Sequence, residues 1–400
     1  MAERFGSAPR TELEAIIRQR RQTFEEFSED TARYARENDE EGTLSARHLQ
    51  RLASGNRADG KPLGAVRPAT RRLLEHMLGQ TIDVLLGPPT DAEPADEERH
   101  RAELAANIAA ARSADRETVA AFQQRLDLAR LLDRRLGAAH LVAELGAQIE
   151  QMEKLGRYSV DALTRGSLAV VIADACTLAG WQWLDRADPG RAWDYYARGL
   201  TAATESESTA LRSYVTAGQS VVLLDLDDTA AALAMSEHAR ESARGRTPRI
   251  LAAWLAAAHG EELAANRQHT ESLRAFDDAE IMLSGAAAEE VPFLVFGDVH
   301  LTRWRGNALA RLGDRRAVDT LARALDALPA GFNRAETALL ADLADAHESA
   351  GDREAAQFHA IRAEQLARQI GSDRHRRRMD RFRRRTDISP PTAEDPEGRR

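Results

Sequence analysis

The chain is poor in several things that stabilise or equip other proteins. It has one cysteine, Cys176, so no intramolecular disulfide and no cysteine-rich zinc site can form. A reducing cytoplasm is the compartment that this usage predicts. Aromatic residues make up only 5% of the chain, which argues against a β-sandwich, built as it is from aromatic and β-branched side chains. No uninterrupted apolar run approaches the ~18 residues of a membrane span, and no membrane association is expected. The opening Met1-Ala2-Glu3-Arg4-Phe5-Gly6 has no apolar stretch, and no secretory signal is expected. Catalytic signatures are also missing. There is no glycine-rich phosphate loop ending in Lys-Ser/Thr, no His-Glu-x-x-His and no Gly-x-Ser-x-Gly. Lysine occurs only at Lys61 and Lys154, so almost all of the positive charge is arginine.

What is present is helical. Over 400 residues, 43% are hydrophobic and 30% charged, enough apolar material for a core. Alanine is the commonest residue, the best helix former and the thinnest at a helix crossing. Residues 11–86 read as five short helices: Thr11–Arg20, Thr23–Asn38, Ser45–Ala53, Pro68–Leu78 and Ile82–Leu86. Thr11 and Thr23 each precede a glutamate by three residues, the spacing of a capping box. Proline suits the first turn at Pro68. A Pro-rich stretch, residues 88–97, reads as a linker. From there to Ile370 only helical periodicity is found. Pro189-Gly190-Arg191-Ala192, Asp228-Thr229-Ala230-Ala231, Asp314-Arg315-Arg316-Ala317 and Asp352-Arg353-Glu354-Ala355 open the second helices of successive pairs. A two-helix repeat near 40 residues predicts an α-solenoid. The expected fold is therefore all-α, with a helical unit over 1–87, the linker, a solenoid over 98–370, and a basic, largely disordered tail over 371–400. The arginine run Arg374–Arg385 in that tail either adds DNA affinity or docks on neighbouring acidic helices; its interruption by Asp380 favours docking.

Three local patterns invite chemistry. Val221-Val222-Leu223-Leu224-Asp225-Leu226-Asp227-Asp228-Thr229 resembles the nucleophile motif of haloacid-dehalogenase-type phosphatases. That chemistry also needs a downstream basic residue, normally lysine, and none follows Lys154. A helix end with an Asp-rich turn is the preferred reading, and no catalytic residue, metal or cofactor is expected. His259 and His269 lack a carboxylate at ligand spacing and read as helix-face residues, while Cys176 sits in an apolar helix and reads as core. The third pattern is electrostatic. Segment 43–76 sets Arg47, Arg51, Arg57, Lys61, Arg67, Arg71 and Arg72 against Asp59 and Glu75, whereas the preceding helix is acidic. With Leu44, Leu49 and Leu52 turned inward, Ser45, Ala46, Arg47, His48 and Arg51 face outward. Such a face suits a helix entering the major groove, since arginine bridges guanine N7 and O6.

These segments carry a resemblance. Leu13-Glu14-Ala15-Ile16-Ile17-Arg18-Gln19-Arg20-Arg21-Gln22-Thr23-Phe24-Glu25-Glu26-Phe27, Leu44–Gly55 and Ile82-Asp83-Val84-Leu85-Leu86-Gly87 resemble the opening, recognition helix and close of Cro/phage-repressor (XRE) DNA-binding domains. The rest is similar to the tetratricopeptide-type sensor domains of actinobacterial regulators. A longer second helix with an acidic insertion over Arg36–Gly42, and a long loop over Gly55–Arg67, depart from the family pattern. The resemblance implies a sequence-specific transcriptional regulator and not an enzyme. It would bind double-stranded DNA through Thr43, Ser45, Ala46, Arg47, His48, Gln50, Arg51, Arg57 and Lys61. It would act as a homodimer in the cytoplasm, nucleoid-associated when on DNA. Its concave groove would hold a peptide, protein or small-molecule effector, with Trp181, Tyr195, Tyr214 and Trp254 as groove residues. The alternative is a tetratricopeptide-like interaction scaffold without DNA binding; a phosphatase through Asp225 and Asp227 comes third.

Overall fold

The computed structural model describes residues 9–38, 40–55, 66–89, 92–139, 141–284, 286, 291 and 293–386; within 92–97 only the backbone is described. Nineteen helices and no strand occur among these residues. They fall into two compact units, Met1–Leu104 and Ala105–Arg400.

The first unit holds α1 (Glu12–Gln19), α2 (Phe24–Glu37), α3 (Ala46–Ala53), α4 (Pro68–Leu78) and α5 (Ile82–Leu85). Sequence chemistry sets each boundary. Thr11 and Ser45 accept hydrogen bonds from the amides of Glu14 and His48, and Thr23 with Glu26 forms the full capping box. Each such cap is worth ~1 kcal/mol. Gly79, in the left-handed region, ends α4. Leu13, Ile17, Phe27, Leu44, Leu49, Leu52, Leu73, Leu74, Ile82 and Leu85 close a small core of their own. The expected linker is shorter than 88–97: α6 (Ala92–Arg112) begins inside it, because only Pro94 falls within its first turns, where a missing amide costs nothing.

The second unit continues with α7 (Arg116–Leu136), α8 (Val142–Tyr158), α9 (Ala162–Asp185), α10 (Pro189–Glu205), α11 (Thr209–Asp225), α12 (Thr229–Ala243), α13 (Arg249–Ala265), α14 (His269–Leu283), α15 (Asp298–Arg311), α16 (Ala317–Asp326), α17 (Asn333–Ala350), α18 (Arg353–Gln369) and α19 (Asp373–Thr386). From α9 to α18 these helices pack as consecutive hairpins. The first members α9, α11, α13, α15 and α17 also touch one another in turn, forming an inner wall. One turn recurs six times. Ala187, Glu207, Asp227, Arg267, Gly351 and Gly371 each take positive φ, and a helix begins two residues later; Gly313 also takes positive φ, but α16 begins only at Ala317. Asp188, Ser208, Asp228, Asp352 and Ser372 cap those helices through their side chains.

Helix α9 is long and apolar enough to cross a membrane by length and composition, with a mean hydropathy of 1.4. It is the central core helix of this unit. Its polar residues are partnered inside the protein: Asp174 by Arg130, Gln182 by Asp133, and Asp185 by Ser372. Tyr196 of α10 stands between α9 and α11, where Gly180 and Gly218 leave room for its ring; a Cβ at either would lie 2.8 Å from it.

The end of the chain departs from expectation. Residues 371–386 are not a disordered tail: α19 buries His375, Met379 and Phe382 against α17 and α18. Several of its arginines are partnered, Arg374 with Asp225, Arg378 with Asp342 and Asp345, and Arg383 with Glu364. The remainder of the tail, 387–400, lies outside the described residues.

Candidate functional site

Two places carry chemistry, one in each unit. In the first, α3 is pinned at both ends. Ser28 donates to the carbonyl of Leu44 just before it, and Thr11 Oγ1 donates to the carbonyl of Ala53 at its last turn, at 2.7 Å. Leu49, Leu52 and Ala53 face the core. Of the residues expected to meet DNA, Thr43, Ser45, Arg47, Gln50 and Arg51 are exposed, and Ala46 and His48 are half-buried. Arg57 and Lys61 lie outside the described residues. Burial holds the His48 imidazole below its usual range, and the charges of Arg51 and Arg67 beside it add to the effect. Arg47, Arg51, Arg67 and Arg71 form no ion pair with any described residue. Their neighbours do: Arg72 lies 3.8 Å from Glu41, and His76 meets Glu40. Glu41 and Glu40 of the 36–42 insertion thus engage Arg72 and His76 of α4, whereas Arg47 and Arg51 of α3 and Arg67 and Arg71 at the start of α4 are open to solvent.

In the second unit the inner wall bends until it meets itself. Arg334 of α17 reaches Asp133 of α7 at 2.6 Å and Asp185 of α9 at 3.6 Å. Asn333 donates to the carbonyl of Arg135, and Ser372 donates to Asp185, both at 2.7 Å. A Cβ on Gly137 would stand 2.1 Å from the carbonyl oxygen of Ile370, so only glycine permits this approach. The concave face thereby becomes a cavity of about 920 Å³. Tyr214, Trp254, Phe293 and Trp304 form one wall, with ring centroids 4.9–5.8 Å apart along the chain of contacts. Ion pairs occupy part of the remaining lining: Arg130 with Asp174, Arg374 with Asp225, and Arg378 with Asp342 and Asp345.

Trp181, Tyr214 and Trp254 line this cavity as expected of groove residues. Tyr195 does not; it packs toward α8 under the guanidinium of Arg198. Its neighbour Tyr196 lines the cavity instead, because one residue on a helix turns the side chain by about 100°. Asp225 and Asp227 are placed at a turn between helices, where Arg374 engages Asp225 through both carboxylate oxygens and Asp227 takes positive φ. No group of histidine, cysteine and carboxylate side chains suited to a metal occurs among the described residues. Cys176 is buried in the core, and burial pushes its thiol up to about 12. His259 is not solvated as expected: it is buried beside Ser236. His269 is exposed and 3.3 Å from Asp314. Sequence reading missed Glu261, His300 and Arg303, which face the cavity among the aromatic rings.

Burial shifts several of these groups in opposite senses. Glu261 is pushed up to about 7 and Glu262 to about 8, the latter although Ser220 donates to it. His259 and His300 are pushed down to about 4. A carboxyl raised in the folded state stabilises it below the ordinary value of 4.5 and loses that contribution as pH climbs through 7 and 8. A lowered histidine stabilises the fold above 6.5 and loses that contribution as pH falls toward 4. The two effects oppose each other between pH 4.5 and 6.5; above 6.5 only the carboxyl contribution changes, so thermal stability should decline toward pH 8. In melts across this range, Glu262→Gln should flatten the alkaline decline; an unchanged decline would show that Glu262 is not the group responsible.

No family model and no curated protein matches the chain. Among solved structures it is similar to BtubC (BKLC) from P. vanneervenii, at 16% identity and a TM-score of 0.38, over 64% of this chain and 94% of that one.

Proposed function

We propose that the chain is a DNA-binding transcriptional regulator whose second unit holds an effector. The observation that carries this reading is the α3 face: Arg47 and Arg51 on the helix, and Arg67 beside His48, stand without carboxylate partners among the described residues, on a helix whose other side is fixed in the core. Phosphates attract such cations by releasing counterions, and arginine at a groove-facing helix reads guanine. The cavity supports the effector role, being of a size and mixed polarity suited to a small ligand. An effector would act by its differential affinity for two arrangements of the protein. Homodimerisation is part of the proposal, because two half-sites about one helical turn apart multiply specificity. Sedimentation with and without DNA tests it.

The test of DNA binding is a titration of a mixed-sequence duplex, read by anisotropy at several salt concentrations. Affinity should fall steeply with salt, and Arg47→Ala/Arg51→Ala should weaken binding by about tenfold or more while leaving the melt unchanged. Equal affinity of the variant and the natural protein would remove the α3 face from the account.

A further inference from the structure

The cavity of the second unit contains a cation, Arg303, that its described surroundings do not answer. Among the described residues Arg303 of α15 has no hydrogen-bond or ion-pair partner, and its Nε is buried without one. Its guanidinium lies 5.9 Å from the ring of Trp304. Four other arginines of the lining are matched: Arg130 by Asp174, Arg334 by Asp133, Arg374 by Asp225, Arg378 by Asp342 and Asp345, while Arg134 lies 5.6 Å from the ring of Phe332. Asp342, the carboxylate that could otherwise serve Arg303, is already shared by Arg378 and Asn307, each at 2.7 Å. Glu261 is close enough to influence Arg303 but is not paired with it. The two groups are not equivalent. A buried carboxyl can discharge itself by taking a proton, whereas a guanidinium stays protonated. The charge left uncompensated in this space is therefore positive, and an uncompensated buried charge is expensive. Beside it runs the wall of Tyr214, Trp254, Phe293 and Trp304.

We propose that this cavity binds a small organic anion with an apolar body, its anionic head on Arg303 and its body against the four aromatic side chains. The volume of about 920 Å³ falls in the range of sites for drug-sized molecules. The inference deepens the effector reading given above, but it concerns the second unit alone. An aryl or alkyl carboxylic acid and the C-terminal carboxylate of a short apolar peptide share the required chemistry.

The probe is anilinonaphthalene sulfonate, a fused aromatic body with one anionic group, titrated into the full-length protein and read by energy transfer from tryptophan. The expected result is saturable binding at one site per chain. Arg303→Gln should weaken it by about tenfold or more, the loss of one charge-assisted contact, while binding of neutral aminoanthracene changes less than about twofold. Arg303→Lys should retain most of the sulfonate affinity. Removing an unanswered charge should not lower the melting temperature, which separates loss of the site from loss of the fold. Competition then distinguishes the sources. Displacement by phenylalkyl carboxylates, or by an apolar tripeptide with a free but not an amidated C-terminus, supports the site and names its kind of ligand. Sulfonate affinity equal in the natural protein and Arg303→Gln, or displacement by neither class of competitor, would overturn the proposal. All of this is measured without DNA. A protein that binds the probe but no duplex contradicts only the regulator reading, and one that binds duplex but no probe contradicts only the anion site.

Discussion

Arg334→Ala should lower the stability of the second unit by about 3–5 kcal/mol, the usual cost of removing one partner from a buried ion pair. Arg334 joins Asp133 on α7 to Asp185 on α9, and Gln182 and Ser372 complete the group at 3.0 and 2.7 Å. The partners come from residues about 200 apart in sequence. Without the guanidinium, two buried carboxylates would face each other. Burial already holds Asp133 above the usual carboxylate range, and the variant would raise it further. The loss should therefore shrink as pH is lowered and the pair takes up a proton. Denaturant melts of Arg334→Ala, Asp133→Ala and the double variant give the coupling directly; the double variant should lose less than the sum of the two. A loss below about 1 kcal/mol, typical of exposed pairs, would mean that the inner wall does not close in solution.

Phe382→Ala is the second large effect. Phe382 is 2% exposed and packs with Met379 against Leu340, Ala344, Ala360 and Ala363. Truncating a buried phenylalanine costs about 3–5 kcal/mol. Replacing Arg381 and Arg384, exposed on the same helix, should change stability by no more than about 0.5 kcal/mol. This contrast decides how the basic end of the chain works. If α19 is an integral wall of the cavity, only the apolar variant matters. If the segment is a free basic tail, Phe382→Ala will be silent and the arginine variants will instead weaken DNA binding.

The helices were legible where local chemistry determines them. Thr23 with Glu26, Ser45, Pro68 and Gly79 mark ends that tertiary structure has no reason to override. The repeat was visible where Gly313 and Gly351 stand at the turn, and harder to see where Ala187, Glu207, Asp227 and Arg267 adopt the same left-handed backbone without being glycine. Helix α19 was obscured by its arginines. Its apolar signal rests on Met379 and Phe382, with His375 one turn before them, and a charge count does not weigh spacing. The cavity was illegible for a different reason. Closure depends on Asp133 meeting Arg334 and on Gly137 meeting Ile370, and nothing local ties such distant residues together. Arg303 and Glu261 look like ordinary helix-face charges until that closure places them indoors.

The central claim is that α3 reads duplex sequence. Its most direct test is capture of fragmented genomic DNA by the full-length protein at about 150 mM salt, a concentration at which nonspecific phosphate contacts are weakened, followed by sequencing. The account predicts enrichment of a short inverted repeat by the natural protein and its disappearance with Arg47→Ala/Arg51→Ala. Recovery of the same fragments by both proteins, or of no preferred sequence with or without an anion that fills the cavity, would contradict it.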